Sequence, residues 1–231
     1  MAENKNMKGA PEAVETLNQS EAFVLKYKKV IIAAVVVAIL VIVGWVVWSN
    51  YSDKQQQKAS TEMAKAQEYF AMAVQGESEE LFKLALEGDS LGNAGFKVIA
   101  DEYSITKAGN LANLYAGICC ANLGQYDEAA KYLDNFSNAG DQMISPAANG
   151  IKGNVEASQE KYDDAVKTLV KAADMADNST ISPTLLIQAG EILESQGKAD
   201  EALKLYQRIK KDYFKWARYN TIDAYIERVS K

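Results

Sequence analysis

A repeated pattern of small residues constrains the fold of this chain more than any other feature. Gly117, Gly153 and Gly190 lie 36 and 37 positions apart. An alanine lies 12 positions after each glycine, at Ala129, Ala165 and Ala202, so the alanines show the same spacing as the glycines. In each copy two acidic residues directly precede the alanine. A period that holds at two independent landmarks indicates a structural repeat.

The chemistry of each copy predicts two paired helices. A large side chain at the glycine or the alanine would push two crossing helix axes beyond their usual 8 to 10 Å. Glycine inside a helix costs roughly 1 kcal/mol relative to alanine, so three at matched positions indicate a packing requirement. Gly124 and Gly197 predict turns, while Glu160 replaces the turn glycine in the middle copy. With about 34 residues of helix, turn and helix as its unit, the pattern resembles the tetratricopeptide repeat.

We therefore predict an all-α chain in which three tetratricopeptide repeats occupy residues 107–212 as an α-solenoid. Ser145 and Ser182, each followed by proline, are predicted to cap two of the first helices. Residues 213–231 are predicted to form a C-terminal capping helix. Its apolar stripe comprises Trp216, Tyr219, Ile222, Ile226 and Val229.

Residues 51–106 are predicted to form a helical stalk and a degenerate leading repeat. Residues 52–74 favour a helix whose apolar stripe is formed by Ala59, Met63, Ala66, Tyr69 or Phe70, and Ala73. Further helices are predicted at residues 81–86 and 91–103. Repeat arrays usually need modified end repeats, which this segment would supply.

Residues 30–50 are predicted to form a transmembrane signal-anchor helix. Residues 30–48 carry no charge and would span about 28 Å as a helix, enough to cross a bilayer core. A cleaved signal peptide and a buried core helix are the alternatives, but a cleavage site needs small residues where Trp45 and Trp48 stand. Lys26, Lys28 and Lys29 precede the apolar run, so the positive-inside rule places the N-terminus in the cytoplasm. Residues 1–29 are predicted to be a disordered cytoplasmic tail, with a short helix that leads to Phe23, Leu25 and Tyr27 as the alternative for its last part.

Composition argues against several functions. Histidine, the commonest general base and a common metal ligand, is absent from the sequence. After residue 50 the chain has 20 basic and 27 acidic residues, a balance of about −7 that disfavours nucleic acid as a partner.

Cys119 and Cys120 are interpreted as buried small residues rather than redox or metal groups. Glu191 and Glu194 lie three residues apart on one helix face, where two carboxylates could act as a glycosidase pair. We favour the interpretation that they belong to a solvated face of the groove. No catalytic, cofactor or metal site is predicted.

The resemblance to tetratricopeptide arrays implies a binding groove, because their first helices line the concave surface. The aligned positions that we predict to bind a partner are Leu111, Leu114, Ile118, Asn122, Asn154, Ser158, Ile187, Glu191 and Glu194, with Ala147, Gly150 and Thr184 beside them. None is lysine or arginine, so gripping of a chaperone's carboxylate terminus is disfavoured. A neutral to acidic groove suits an extended polypeptide or a partner helix.

The whole layout resembles the YfgM-like ancillary subunits of the bacterial SecYEG translocon. The similarity includes residues 98–103 and 106–117, between the leading and first full repeats. It implies a single-pass inner-membrane protein with a periplasmic C-terminal domain. It further implies partners beside the export channel, namely SecYEG and a membrane-anchored chaperone of the peptidyl-prolyl isomerase type (PpiD-like). No catalytic residues or cofactors are implied.

Three functional hypotheses follow. The leading one is a non-enzymatic periplasmic scaffold that binds a partner chaperone or exported polypeptides at the translocon. The alternative is an assembly adaptor for another cell-envelope complex. An enzyme that uses Glu191 and Glu194 is the third.

Overall fold

A computed structural model describes the backbone of residues 10–138 and 140–230, and side chains from residue 23 onward except at residues 139 and 231. Within these residues the regular structure is helical, apart from one isolated bridge between Gly88 and Ala94. The chain divides into an anchor unit, which ends at Lys54, and a repeat unit, which begins at Gln55. The predicted all-α class is confirmed.

The anchor unit consists of the first part of helix α1, which runs from Ala10 to Gly76. Its most apolar window has a mean hydropathy of 3.3 and is not buried against other parts of the chain. Such a helix is long and apolar enough to cross a membrane. The prediction of disorder before residue 30 is wrong for residues 10–29, which are helical. Pro11 lies in the first turn, where its missing N–H costs nothing. The predicted tail over residues 1–9 lies outside the described residues.

The repeat unit opens with a helical hairpin that shares its core with the first full repeat. After Gln55, α1 buries the predicted stripe positions Ala59, Met63, Ala66 and Ala73. Helices α2 (Glu79–Glu87) and α3 (Phe96–Glu102) follow. The Phe70 ring lies 5.0 to 6.2 Å from the rings of Phe82, Phe96 and Tyr115. The predicted helix over residues 91–103 begins only at Phe96, because residues 91–95 form a glycine-containing loop with an exposed Leu91.

Three helix pairs follow, as the repeat predicts. Their first helices are α4 (Lys107–Asn122), α6 (Ile144–Ser158) and α8 (Ser182–Ser195), and their second helices are α5 (Tyr126–Asn135), α7 (Tyr162–Ala176) and α9 (Ala199–Asp212). A short 3-10 turn (Tyr219–Thr221) leads into the closing helix α10 (Ile222–Val229), which packs on α9. The predicted repeat array is confirmed. The predicted bounds of the capping helix, residues 213–231, are wrong, because residues 213–218 form turns and α10 begins only at Ile222. Trp216 of the predicted stripe therefore packs from a turn and not from a helix.

Close helix crossings explain the repeated glycines. A Cβ at Gly117 would stand 2.7 Å from Leu133 Cγ, and a Cβ at Gly153 would stand 2.7 Å from Leu169 Cγ. Both distances are far below van der Waals contact. The alanines that recur with the glycines are fully buried: Ala129, Ala165 and Ala202. The small residues therefore set the spacing within each pair.

The four helical hairpins share one turn geometry. Gly124 and Gly197 have left-handed φ angles of 70° and 73°, and Glu160 adopts the same conformation at 61°. Glu77, between α1 and α2, has a φ of 47°. A non-glycine residue there costs of order 1 to 3 kcal/mol. The helix packing therefore imposes the turn on the middle repeat even without glycine, and the leading hairpin uses the same turn.

The helix starts differ from the prediction. Ser145 and Ser182 lie inside α6 and α8 rather than at their caps. Asp141 is the capping group for α6, since its carboxylate accepts hydrogen bonds from the Met143 N–H at 2.8 Å and the Ser145 hydroxyl at 2.6 Å. Before α8, the Asn178 Oδ1 atom accepts hydrogen bonds from the N–H groups of Thr180 and Ile181, in the turn that leads into the helix. The prediction of serine caps is wrong because a longer side chain three or four residues earlier reaches the free N–H groups first.

Candidate partner-binding surface

A cleft of about 260 Å³ lies between the first helices of the second and third repeats. Four residues assigned to the groove from the sequence meet there: Ala147, Gly150, Asn154 and Thr184. The other lining residues are Ile151, Thr180, Ile181, Leu185 and Gln188. The structure thus brings part of the predicted set together across two repeats, in a cleft that contains no charged side chain.

Gln188 gives this cleft a polar group with free capacity. Its Oε1 atom is buried and accepts no hydrogen bond from the described residues. A buried acceptor without a donor costs about 1 to 3 kcal/mol. Alignment of the repeats did not assign Gln188 to the groove. Its position four residues after Thr184, on the same helix face, was the signal that could have found it.

Two predicted groove residues belong to the core. Leu114 is 7% exposed and Ile187 is 8% exposed, so neither offers an open surface. Leu111 and Ile118 are half-buried against the core of the first half of the repeat unit. The exposed members of the predicted set are Asn122, Ala147, Asn154, Ser158, Thr184 and Glu191. Binding of a partner by the set stays a prediction.

Glu194 has a structural partner. Its carboxylate accepts two hydrogen bonds from Arg228 of α10, at 2.6 and 2.8 Å, and one from the Tyr206 hydroxyl at 2.5 Å. The bidentate contact with Arg228 lowers the pKa of Glu194. Burial, together with the same carboxylate, raises the pKa of Tyr206. Glu194 therefore fastens the closing helix onto α8, whereas Glu191 remains exposed. This arrangement does not make the two carboxylates a catalytic pair.

The two cysteines are packing residues. Cys119 and Cys120 are buried and unpaired in α4. Burial raises the pKa of Cys119 to about 12 and, with Glu128 nearby, that of Cys120 to about 11. Both thiols are therefore protonated at neutral pH. Nucleophilic and metal-binding roles require the thiolate form. Among the described residues no group of histidine, cysteine or acidic side chains is arranged to hold a metal ion.

Two further clefts lie beside the first helices. One, of about 400 Å³, places the predicted residue Asn122 next to Val74, Glu77 and Phe82. The other, of about 660 Å³, lies where α3 ends and α4 begins, and sequence reasoning missed it. Its lining includes Asp101, Ser104, Ile105, Lys107 and Asn110. These residues come from the end of α3, the loop after it and the first turn of α4, so the alignment of the three full repeats did not select them.

Comparison with known proteins decides the family. The family model described as a tetratricopeptide repeat-like domain matches residues 21–224. The chain belongs to this family. A curated protein of Neisseria gonorrhoeae, named Ancillary SecYEG translocon subunit, is 27% identical over 179 residues. That alignment covers 77% of this chain and 78% of the relative. The resemblance to the YfgM-like family is confirmed.

The family match extends over both structural units of this tetratricopeptide repeat protein. It includes the apolar part of α1 as well as all three helix pairs. The family and the name of the relative point to a non-catalytic protein, in agreement with the cysteine and glutamate environments described above. The apolar helix and the relative together indicate a single-pass inner-membrane protein.

Proposed function

We propose that this protein is an ancillary subunit of the SecYEG translocon that binds other proteins through its first-helix groove. The repeat unit lies in the periplasm, where it holds a membrane-anchored chaperone of the PpiD-like type or newly exported polypeptides. The observation that carries the proposal is the uncharged cleft between α6 and α8, with its unsatisfied Gln188 acceptor.

The chemistry of the cleft suits an extended polypeptide. A backbone N–H of the bound chain can donate to Gln188 Oε1, while the Asn154 amide offers both a donor and an acceptor at the exposed rim. Gly150 leaves room that the Leu185 side chain occupies, since a Cβ there would stand 2.4 Å from Leu185 Cδ2. Recognition of this kind depends on backbone groups and small apolar contacts, so many sequences can bind.

The arrangement of charged residues supports the periplasmic orientation. Three lysines, Lys26, Lys28 and Lys29, precede the apolar run, and fewer basic residues follow it closely. Protease added to intact spheroplasts is expected to digest the repeat unit. Digestion only after the membrane is opened would contradict this orientation, and the translocon role with it.

Site-specific crosslinking in membranes tests the binding surface. A photoreactive residue at Asn154 or Thr184, both exposed at the cleft, is expected to capture translocon subunits, a chaperone or exported chains. Leu114 and Ile187 are unsuitable because both are buried. The matched controls are Lys167 and Lys171, which are exposed on the second helix of the middle repeat.

The crosslinking pattern separates the candidates. Many captured exported chains would support client binding, and one dominant chaperone would support the partner role. Equal yields from the cleft and from Lys167 would contradict the groove as the binding surface. Capture of a different envelope complex, without SecYEG, would favour the assembly adaptor instead.

A further inference from the structure

The end of α9 and the segment after it differ in charge from the rest of the repeat unit. Residues 210–219, here called the basic–aromatic loop, comprise the last turn of α9 and the turns that follow. They contain Lys210, Lys211, Lys215 and Arg218 around one exposed aromatic ring, Phe214. We propose that this loop binds the anionic head groups of the bilayer to which the chain is tethered.

Three of the four cations are available. Lys210 is engaged, with its Nζ atom 2.6 Å from Asp223. Lys211, Lys215 and Arg218 are exposed and form no ion pair with the residues that the structure describes. The nearest acidic neighbour in sequence, Asp212, lies 3.9 Å from Arg208 instead. The loop is therefore a positive patch on a unit whose net charge is negative.

The loop also presents an apolar side chain outward from a fixed base. Tyr213 and Trp216 are 5% and 7% exposed and pack into the core of the last repeat. Phe214, between them, is 66% exposed. The Lys215 ammonium lies 5.8 Å from the centre of the Phe214 ring. An aromatic ring flanked by cations is the combination that inserts at the boundary between head groups and acyl chains.

The topology places the loop at the edge of the repeat unit where the chain enters it. Because the helices alternate in direction, the segments before α6, before α8 and after α9 lie at the edge where the first helices begin. A hydrogen bond from the Asn178 amide to the Gln142 carbonyl joins two of these segments. Gln56 belongs to the same edge, since its Oε1 accepts from the Ala108 N–H at 3.2 Å.

The segment that joins the repeat unit to the apolar run is short. The repeat unit begins at Gln55, and the uncharged run ends at Trp48. Seven residues of chain span at most about 25 Å. A short tether makes binding intramolecular, so the loop meets lipid at a high effective concentration. Weak contacts then suffice for occupancy.

The expected strength follows from the charges. Each lysine or arginine near an anionic surface strengthens binding by a factor of about five. Removal of the three available cations is thus expected to lower the ratio of lipid-bound to free loop by about 100-fold.

The experiment uses the full chain reconstituted in liposomes. A fluorophore is attached at Ala217→Cys, an exposed loop position, while the buried Cys119 and Cys120 remain unlabelled. Quenching by brominated lipid reports contact with the bilayer. We expect strong quenching in an equal mixture of phosphatidylcholine and phosphatidylglycerol, weak quenching in phosphatidylcholine alone, and a loss of quenching at high salt.

Two triple variants test whether the cations of the loop cause its contact with the bilayer. Lys211→Gln, Lys215→Gln and Arg218→Gln together are expected to abolish the lipid-charge dependence without changing the melting temperature. The matched control neutralises three exposed lysines elsewhere, by Lys83→Gln, Lys167→Gln and Lys204→Gln, and is expected to behave as the parent chain does. Quenching that is independent of lipid charge, or equal loss in both variants, would overturn the proposal. Quenching that appears only when translocon is reconstituted with the chain would assign the loop to a protein partner instead.

Discussion

Replacement of Gly190 by alanine is the sharpest test of the helix crossings. A Cβ at this position would stand 2.4 Å from Tyr206 Cε1 and 2.6 Å from its Cζ. Tyr206 cannot easily move, because it is fully buried, its hydroxyl is bonded to Glu194, and its ring lies 5.3 Å from that of Tyr225. The added methyl group must therefore push α8 and α9 apart or distort the ring.

The magnitude combines two opposing terms. Overpacking of a well-packed core typically costs 1 to 3 kcal/mol. We expect a cost of about 3 kcal/mol here, because the ring is buried and rigid and would lie 2.4 Å from the added Cβ atom. Alanine in a helix recovers about 1 kcal/mol relative to glycine. The net destabilisation is therefore about 2 kcal/mol. For a unit of this size that corresponds to a fall in melting temperature of about 4 to 8 °C.

The assay is thermal unfolding of the full chain in detergent, followed by circular dichroism. Gly76→Ala is the matched control, since a Cβ at Gly76 meets no atom within 4 Å, and we expect it to leave the melting temperature unchanged or slightly raised. A second variant isolates the contact. Tyr206→Ala should cost less in the Gly190→Ala chain than in the parent, by about 3 kcal/mol, because the clash is no longer present.

Two results would refute the packing argument. One is a melting temperature for Gly190→Ala that matches that of Gly76→Ala. The other is simple additivity of Gly190→Ala and Tyr206→Ala, which would show that the two positions do not meet.

Three further predictions test the cap, the thiols and the closing helix. Hydrogen bonds from the Ser145 hydroxyl and from backbone N–H groups lower the pKa of Asp141 from 3.8 to about 2, so its stabilising contribution is complete above pH 4 and is lost as pH falls through about 2. Asp141→Asn should therefore reduce the dependence of the melting temperature on pH over that interval. An unchanged pH profile would contradict the capping role. Cys119 and Cys120 should resist maleimide at neutral pH in the native chain and react after denaturation, whereas equal rates in both states would contradict their burial. Arg228→Ala should release α10 and speed protease cleavage within the last residues, and unchanged cleavage would show that the contact with Glu194 does not hold the helix.

Much of the fold could be predicted from the sequence because the repeat records contacts within each helix pair. The positions of Gly153, Ala165 and Leu169 are fixed relative to one another by one short hairpin, so their spacing survives in the sequence. The stripe from Ala59 to Ala73 is likewise a property of a single helix. Periodicity alone therefore predicted both.

Features that depend on neighbouring repeats were harder to predict. Helices α6 and α8 each pack on their own second helix and on the second helix of the preceding repeat, and a 3.6-residue period does not say which apolar side chains each contact buries. Leu114 and Ile187 were assigned to the groove on alignment and are buried for this reason. The caps at Asp141 and Asn178 were missed because loops of different length precede the helices and no period marks them.

The size of the cleft argues that the anchor is part of the binding mechanism. About 260 Å³ between α6 and α8 is smaller than the usual small-molecule site and holds only one or two side chains of an extended polypeptide. The gain from one donor to Gln188 is at most a few kcal/mol. A groove of this kind binds weakly from solution, whereas a membrane tether raises the local concentration of clients at an export channel. We therefore expect a chain in which a cleaved signal peptide replaces residues 1–48, so that the repeat unit is still exported, to bind clients through the same cleft in purified mixtures and to lose crosslinking to them in cells. If crosslinking from Thr184 is undiminished in cells that express the chain without its anchor helix, then affinity and not tethering drives the association.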